Sequence, residues 1–153
     1  MTERPTLHGR KAEIMLIEDN RGDELLALRA FRAGKIDMNF SVAGSAEDAW
    51  SMLHRHGEHQ DAALPDLIIL DLNPPKMSGR SLLLLIKEDP ALKHIPVIVM
   101  SSSEATSDIK RCYDLHACAY IVKPAALDDF KAVVETIEHF YFTVALLPLP
   151  SAA

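Results

Sequence analysis

The sequence predicts an α/β domain: an open, doubly wound sheet of five parallel strands in the order 2-1-3-4-5, with helices on both faces. Three observations predict it. Strand-like and helix-like stretches alternate five times along 153 residues, with no internal repeat and no linker. The strand-like runs are short and nearly continuously apolar, as strands buried on both faces are. Four of them stop at a reactive polar residue: Glu13-Ile-Met-Leu-Ile at Glu18-Asp19, Leu67-Ile-Ile-Leu at Asp71, Val97-Ile-Val-Met at Ser101-Ser102, and Ala119-Tyr-Ile-Val at Lys123-Pro124.

The first strand spans 13–18. A helix follows from Arg21 to Ala33, with Leu25, Leu28 and Phe31 or Arg32 on its inner stripe and Gly34 as its stop. Asn39-Phe-Ser-Val-Ala gives a weaker second strand near an edge. Ser45, with Asp48 three residues on, caps a helix through Trp50 and Leu53. Pro65 leads into a third strand at 66–71, and Ser78 caps a helix through Leu82–Ile86 that ends before Pro90. Val97–Met100 is the fourth strand, followed behind Ser103 by a helix over about 104–115. Tyr120–Val122 is the fifth strand. A last helix runs from Leu127 through Phe130, Val133, Val134 and Ile137 to Phe142. Strands separated by helices need right-handed crossovers, which make the sheet parallel. The chain thus divides into a polar segment 1–11, a domain 12–142, and an apolar, proline-containing tail 143–153.

Charged residues make up 25% of the chain and apolar ones 48%, an ordinary globular balance. A net charge of −6 disfavours nucleic acid and anionic membrane surfaces as partners. Cys112 and Cys118 read as reduced thiols, residues 1–10 lack an apolar signal region, and Phe140–Leu147 is too short to span a bilayer. A cytoplasmic protein is expected. His54, His56 and His59 fall at a helix end and polar loop, and are expected to be solvated rather than metal-binding.

Ligands of an open parallel sheet bind outside the carboxyl ends of its strands, where the strand order reverses. For the order 2-1-3-4-5 that point lies between strands 1 and 3, so Glu18-Asp19 and Asp71 should face each other. Three close carboxylates cannot all ionise without a cation. Mg²⁺ (or Mn²⁺) fits oxygen donors of this kind. Asp19 and Asp71 are the best direct ligands, Glu18 is better suited to act through water, and the Asn73 carbonyl is placed for a further contact. A free oxygen of Asp71 could then attack a phosphoryl group to give an acyl phosphate. Lys123 supplies opposing charge, and Ser101 a hydroxyl donor to a phosphoryl oxygen.

Taken together, Ile17-Glu-Asp, Ile69-Leu-Asp-Leu-Asn with Met77-Ser-Gly, Val99-Met-Ser-Ser and Val122-Lys-Pro resemble the receiver domain of two-component response regulators, over about residues 12–142. The resemblance implies a flavodoxin-like fold and a phosphoacceptor at Asp71. It implies metal binding by Glu18, Asp19 and Asn73, a switch hydroxyl at Ser101, the lysine at Lys123, and an aromatic switch at Tyr120. It also implies a sensor histidine kinase as partner, for a signalling protein that catalyses only its own phosphotransfer and slow dephosphorylation. Asn20-Arg-Gly-Asp, Cys112-Tyr-Asp-Leu-His and Leu127-Asp-Asp-Phe resemble single-domain regulators paired with phytochrome histidine kinases. His116 stands where most receivers have glycine, which predicts an altered turn, and Pro74 should stiffen the loop after Asp71.

Two other functions compete. A phosphohydrolase of the haloacid dehalogenase type would use the same aspartyl phosphate, but needs a second Asp where this chain has Asn73. A pseudo-receiver acting only as a binding module is disfavoured by the intact Asp71, Asp19 and Lys123. The tail poses a separate question. Phe140, Tyr141, Phe142, Val144, Leu146 and Leu147 could fold back on their own domain; burial in a symmetric homodimer is the favoured expectation.

Overall fold

A computed structural model describes residues 11–55, 64–72 and 77–148. Its strands are β1 (Ala12–Ile17), β2 (Met38–Ala43), β3 (Leu67–Asp71), β4 (Val97–Ser101) and β5 (Ala119–Val122). They hydrogen-bond in parallel in the order β2-β1-β3-β4-β5, as predicted. The helices are α1 (Arg21–Arg32), α2 (Ala46–Leu53), α3 (Met77–Glu88), α4 (Thr106–Asp114) and α5 (Leu127–His139).

Alternate residues of a strand face opposite sides, so a strand covered on both sides must be apolar at every position. That is why the central runs show no polar alternation. Met15, Ile17, Ile68, Leu70, Val97 and Val99 meet α2, α3 and α4 through Leu53, Leu83, Ile86 and Cys112. Ile14, Leu16, Leu67, Ile69, Ile98 and Met100 meet α1 and α5 through Phe31, Phe130, Val134 and Ile137.

Helix ends follow local chemistry. Asn20 caps α1 by accepting the Asp23 N–H, and Ser45 caps α2 by accepting that of Asp48. The expected stripe of α1 holds at Phe31, which is buried, but not at Leu25, which is 46% exposed; Ala27 and Ala30 are buried beside Phe31. Small alanines let the helix lie close to the sheet, and hydrophobic periodicity gives them little weight. Ser78 lies inside the first turn of α3 rather than at its cap. The residue that caps α4 is Ala105, without a side-chain bond. Ser103 shapes the loop before it by accepting the Ala105 N–H at 3.2 Å.

The altered turn expected at His116 is not found. His116 takes φ 71°, the left-handed conformation that glycine favours. The Ala117 N–H reaches Cys112 O and the His116 N–H reaches Tyr113 O, a paired closure of the helix C-terminus. His54 also departs from expectation: it is half-buried, packs on Trp50 with ring centroids 4.0 Å apart, and lies 3.3 Å from Asp89 Oδ2. His56 and His59 lie outside the described residues.

The last helix changes character at His139. Phe140–Val144 forms a single π-helical turn closed by the Ala145 N–H on Phe140 O at 2.6 Å. Half of the expected interface set folds back on its own domain. Leu147 is buried with Ala12 and Ile36, and Tyr141 and Phe142 pack beside them. Phe140, Val144 and Leu146 stay exposed.

Candidate functional site

Register brings the strand ends level. Ile17 pairs with Leu70, Asp71 with Met100, and Ser101 with Val122. The next residues along, or the last ones paired, are Glu18, Asp71, Ser101 and Lys123, which therefore gather at one edge of the sheet. Glu18 N–H is held by Ala43 O and Lys123 N–H by Ser101 O, extending the ladder one residue beyond each strand.

The centre of the cluster is Lys123. Its ammonium donates to Glu18 Oε2 at 3.0 Å and to Asp23 Oδ2 at 2.6 Å, and also contacts Asp71 Oδ2. The side chains of Lys123, Asp71 and Glu18 are almost wholly buried. Burial pulls the lysine toward neutrality, but its bonds to Asp23, Asp71 and Glu18 outweigh that and raise its pKa above the ordinary value. Burial and the adjacent Glu18 push Asp71 up to about 8, against the lowering by Lys123. Three carboxylates around one ammonium leave negative charge uncompensated, so the cluster holds a proton or takes up a further cation.

Asp23 was missed by sequence reasoning. It lies in the first turn of α1, where an acidic residue is ordinarily a helix-dipole partner. Carboxylate oxygens of Glu18, Asp23 and Asp71 lie within 4.8 Å of one another. Hard oxygen donors at that spacing suit a small divalent ion. Asp19 is exposed and lines a cavity of about 130 Å³ with Glu18, Asp71, Ser45 and Gly79. Water occupies roughly 30 Å³ per molecule in the liquid, so the space accommodates a phosphoryl group or a partly hydrated cation. Asn73 lies outside the described residues.

The two oxygens of Asp71 differ. Oδ2 meets Lys123, whereas Oδ1 is buried and has no hydrogen-bond partner among the described residues. Ser101 is fully buried and its hydroxyl donates to Leu72 O at 3.1 Å, one residue beyond Asp71. Tyr120 packs against the core and its hydroxyl donates to Ser103 O at 2.8 Å, tying β5 to the β4–α4 loop. Gly79 sits where a Cβ would fall 2.2 Å from Leu72 Cδ2, so its missing side chain lets α3 close on the end of β3.

Comparison with known proteins agrees with this geometry. The family model described as "Response regulator receiver domain" matches residues 14–135. The response regulator Rcp1 of Synechocystis sp. is 36% identical over 135 residues, covering 88% of this chain and 92% of that protein. The crystal structure of the Mn²⁺-bound form of Rcp1 superposes with a TM-score of 0.81 at 35% identity, over 90% of this chain and 99% of the other. The phosphorylated cyanobacterial phytochrome response regulator RcpA gives a TM-score of 0.83 at 40% identity, over 91% and 99%. With the family model covering most of the chain and the sheet, its order and its acidic edge in place, the chain belongs to the response regulator receiver domain family.

Proposed function

We propose that this response regulator accepts a phosphoryl group on Asp71 from a sensor histidine kinase of the phytochrome type, with Mg²⁺ or Mn²⁺ at the acidic cluster. The observation that carries the reading is Asp71 itself: one oxygen held by Lys123, the other buried with no hydrogen-bond partner among the described residues, beside a cavity of phosphoryl size. Similarity to a phosphorylated phytochrome regulator and to an Mn²⁺-bound one supports the donor and the metal.

Glu18, Asp19, Asp71 and the Asn73 carbonyl would hold the ion, with Asp23 beside them. When bound, it offsets the negative charge shared by carboxylates and phosphoryl oxygens. Asp71 as carboxylate attacks phosphorus; the bond from phosphorus to the donor imidazole breaks, and its electron pair stays on the imidazole, which takes a proton. Lys123 turns its charge to the transferred group. Ser101 has a single hydroxyl proton, so it leaves Leu72 O to donate to a phosphoryl oxygen. Tyr120 holds the loop that carries this change.

Incubation with acetyl phosphate and Mg²⁺ should produce a hydroxylamine-labile phosphoryl group that Asp71→Asn abolishes. Absence of label from both acetyl phosphate and a phytochrome-type kinase would refute the reading.

The same proposal includes a homodimer and a cytoplasmic location. Phe140, Val144 and Leu146 are exposed apolar groups beside the packed Tyr141, Phe142 and Leu147, suited to meeting a second copy. Replacing those three exposed residues with serine should shift the chain to monomer on size exclusion. An unchanged dimer, or a native monomer, refutes it. Two free thiols suit a reducing compartment. Among the described residues no helix is long and apolar enough to cross a membrane.

A further inference from the structure

The loop between β4 and α4 is tied to α3 by side chains that phosphotransfer does not use. Arg80 Nη2 donates to Asp108 Oδ1 at 2.9 Å, and the two side chains are mostly buried. Asp108 Oδ2 accepts the Ser103 hydroxyl at 2.6 Å. That hydroxyl accepts the Ala105 N–H, and the Ser103 N–H donates to Ser101 Oγ at 3.2 Å. The chain of bonds ends where the Ser101 hydroxyl donates to Leu72 O.

Each bond fixes the direction of the next. A carboxylate only accepts, so Asp108 commits the one proton of Ser103 to itself. Ser103 is then held with its N–H on Ser101. That N–H and Leu72 O together fix the Ser101 hydroxyl, its one proton committed to the Leu72 carbonyl. Rotation of Ser101 toward a phosphoryl group gives up both contacts, and the bond network passes the cost to Ser103, Asp108 and Arg80.

We propose that Arg80 and Asp108 form a latch that opposes the turning of Ser101, so that phosphorylation of Asp71 loosens the contact between α3 and α4. This rests on Asp71 as phosphoacceptor and deepens it by naming how its state reaches the α4 surface. Arg80 and Asp108 touch no reacting atom; they are positioning residues. Tyr120 anchors the same loop independently through Ser103 O, which keeps the loop attached when the latch is removed.

The test measures binding of beryllofluoride with Mg²⁺, a phosphoryl mimic, to the full chain and to Arg80→Ala, Asp108→Ala, Arg80→Lys and the double alanine variant. A latch predicts roughly five-fold or more tighter binding in each alanine variant, a double variant no tighter than either single one, and near-native binding in Arg80→Lys. Retained circular dichroism establishes that each variant is folded, and the same comparison made with Ser103→Ala replaces any that is not. Unchanged or weaker binding in the alanine variants, or full additivity, overturns the latch. A native chain that neither binds beryllofluoride nor takes label from acetyl phosphate overturns the phosphoacceptor reading instead.

Discussion

Lys123 donates to Asp23 Oδ2 over 2.6 Å, so the acidic cluster is closed by a helix residue in addition to the strand ends. Asp23 thereby holds the ammonium beside Asp71 and adds its carboxylate to those of Glu18 and Asp71. Loss of such a supporting group costs on the order of 10-fold in metal affinity. Asp23→Ala should therefore weaken Mg²⁺ binding by about that factor in calorimetric titration, while Asp71 still takes label at saturating Mg²⁺. Unchanged Mg²⁺ affinity would show that Asp23 serves only Lys123.

Proton and cation compete for Asp71. Its pKa is raised to about 8 by burial and by Glu18, so below that pH the folded protein carries a proton that a bound ion must displace. Mg²⁺ affinity should rise about ten-fold per pH unit up to about pH 8 and then level off. For stability the sign is opposite to that of an ordinary ion-paired aspartate. Between the ordinary aspartate value of 3.8 and about 8 the folded state binds more protons at this group than the unfolded chain does. Asp71 thus contributes less stability as pH rises through that window. Asp71→Asn should flatten the decline in denaturant unfolding; an unchanged slope would remove Asp71 as its source.

The strand-end residues were legible because parallel strands in register bring their carboxyl ends together whatever the loops do. Glu18, Asp71, Ser101 and Lys123 needed only the order of the runs. Asp23 was not legible, since its place depends on how α1 lies against β1, and an acidic first turn is common in helices. Arg80 and Asp108 are 28 residues apart, and nothing in either local sequence marks the pairing. Leu25 was misplaced because a stripe of alanine, which defines the buried face of α1, carries almost no hydrophobic signal. The tail showed its apolar character but not its division. The π-helical turn sets which of its side chains face the domain, and a helical projection does not foresee it.

His116 adopts φ 71° at the end of α4. Left-handed backbone costs an L-residue with a Cβ about 1–2 kcal/mol relative to the right-handed region, and glycine avoids that cost. The closing bonds to Cys112 O and Tyr113 O come from backbone alone and survive substitution. His116→Gly should raise stability by roughly 1 kcal/mol in urea unfolding, with phosphorylation unchanged. Destabilisation would mean that the histidine ring, not the backbone, holds the turn.

Gly79 faces Leu72, which a Cβ would approach to 2.2 Å. Leu72 is buried and its carbonyl accepts from Ser101, so displacement there reaches the site. Gly79→Ala gains helix propensity of up to about 1 kcal/mol but overpacks the contact at a cost of roughly 1–3 kcal/mol. Net destabilisation is expected, relieved in the double variant Gly79→Ala with Leu72→Ala relative to the sum of the singles. Strict additivity would show that the two residues do not press on each other.

Glu138 fixes the tail end of α5 to the turn after α1. Its Oε2 accepts the N–H groups of Lys35 at 2.9 Å and Ile36 at 3.1 Å, and the side chain is buried. A Cβ on Gly34 would fall 1.7 Å from Glu138 Oε1, so the carboxylate fills the space a side chain there would need. A carboxylate accepting two backbone donors in a buried setting is worth about 2 kcal/mol or more, because its loss leaves both donors without that acceptor. Glu138→Ala should lower unfolding stability by about that amount and loosen the packing of Leu147 on Ala12 and Ile36, visible as faster hydrogen exchange at Ile36. Gly34→Ala should act in the same direction through displacement of the carboxylate. Phosphorylation of Asp71 should continue in both variants, since neither residue belongs to the cluster. A chain that loses labelling while keeping its stability would instead connect this end of the fold to the phosphoacceptor edge.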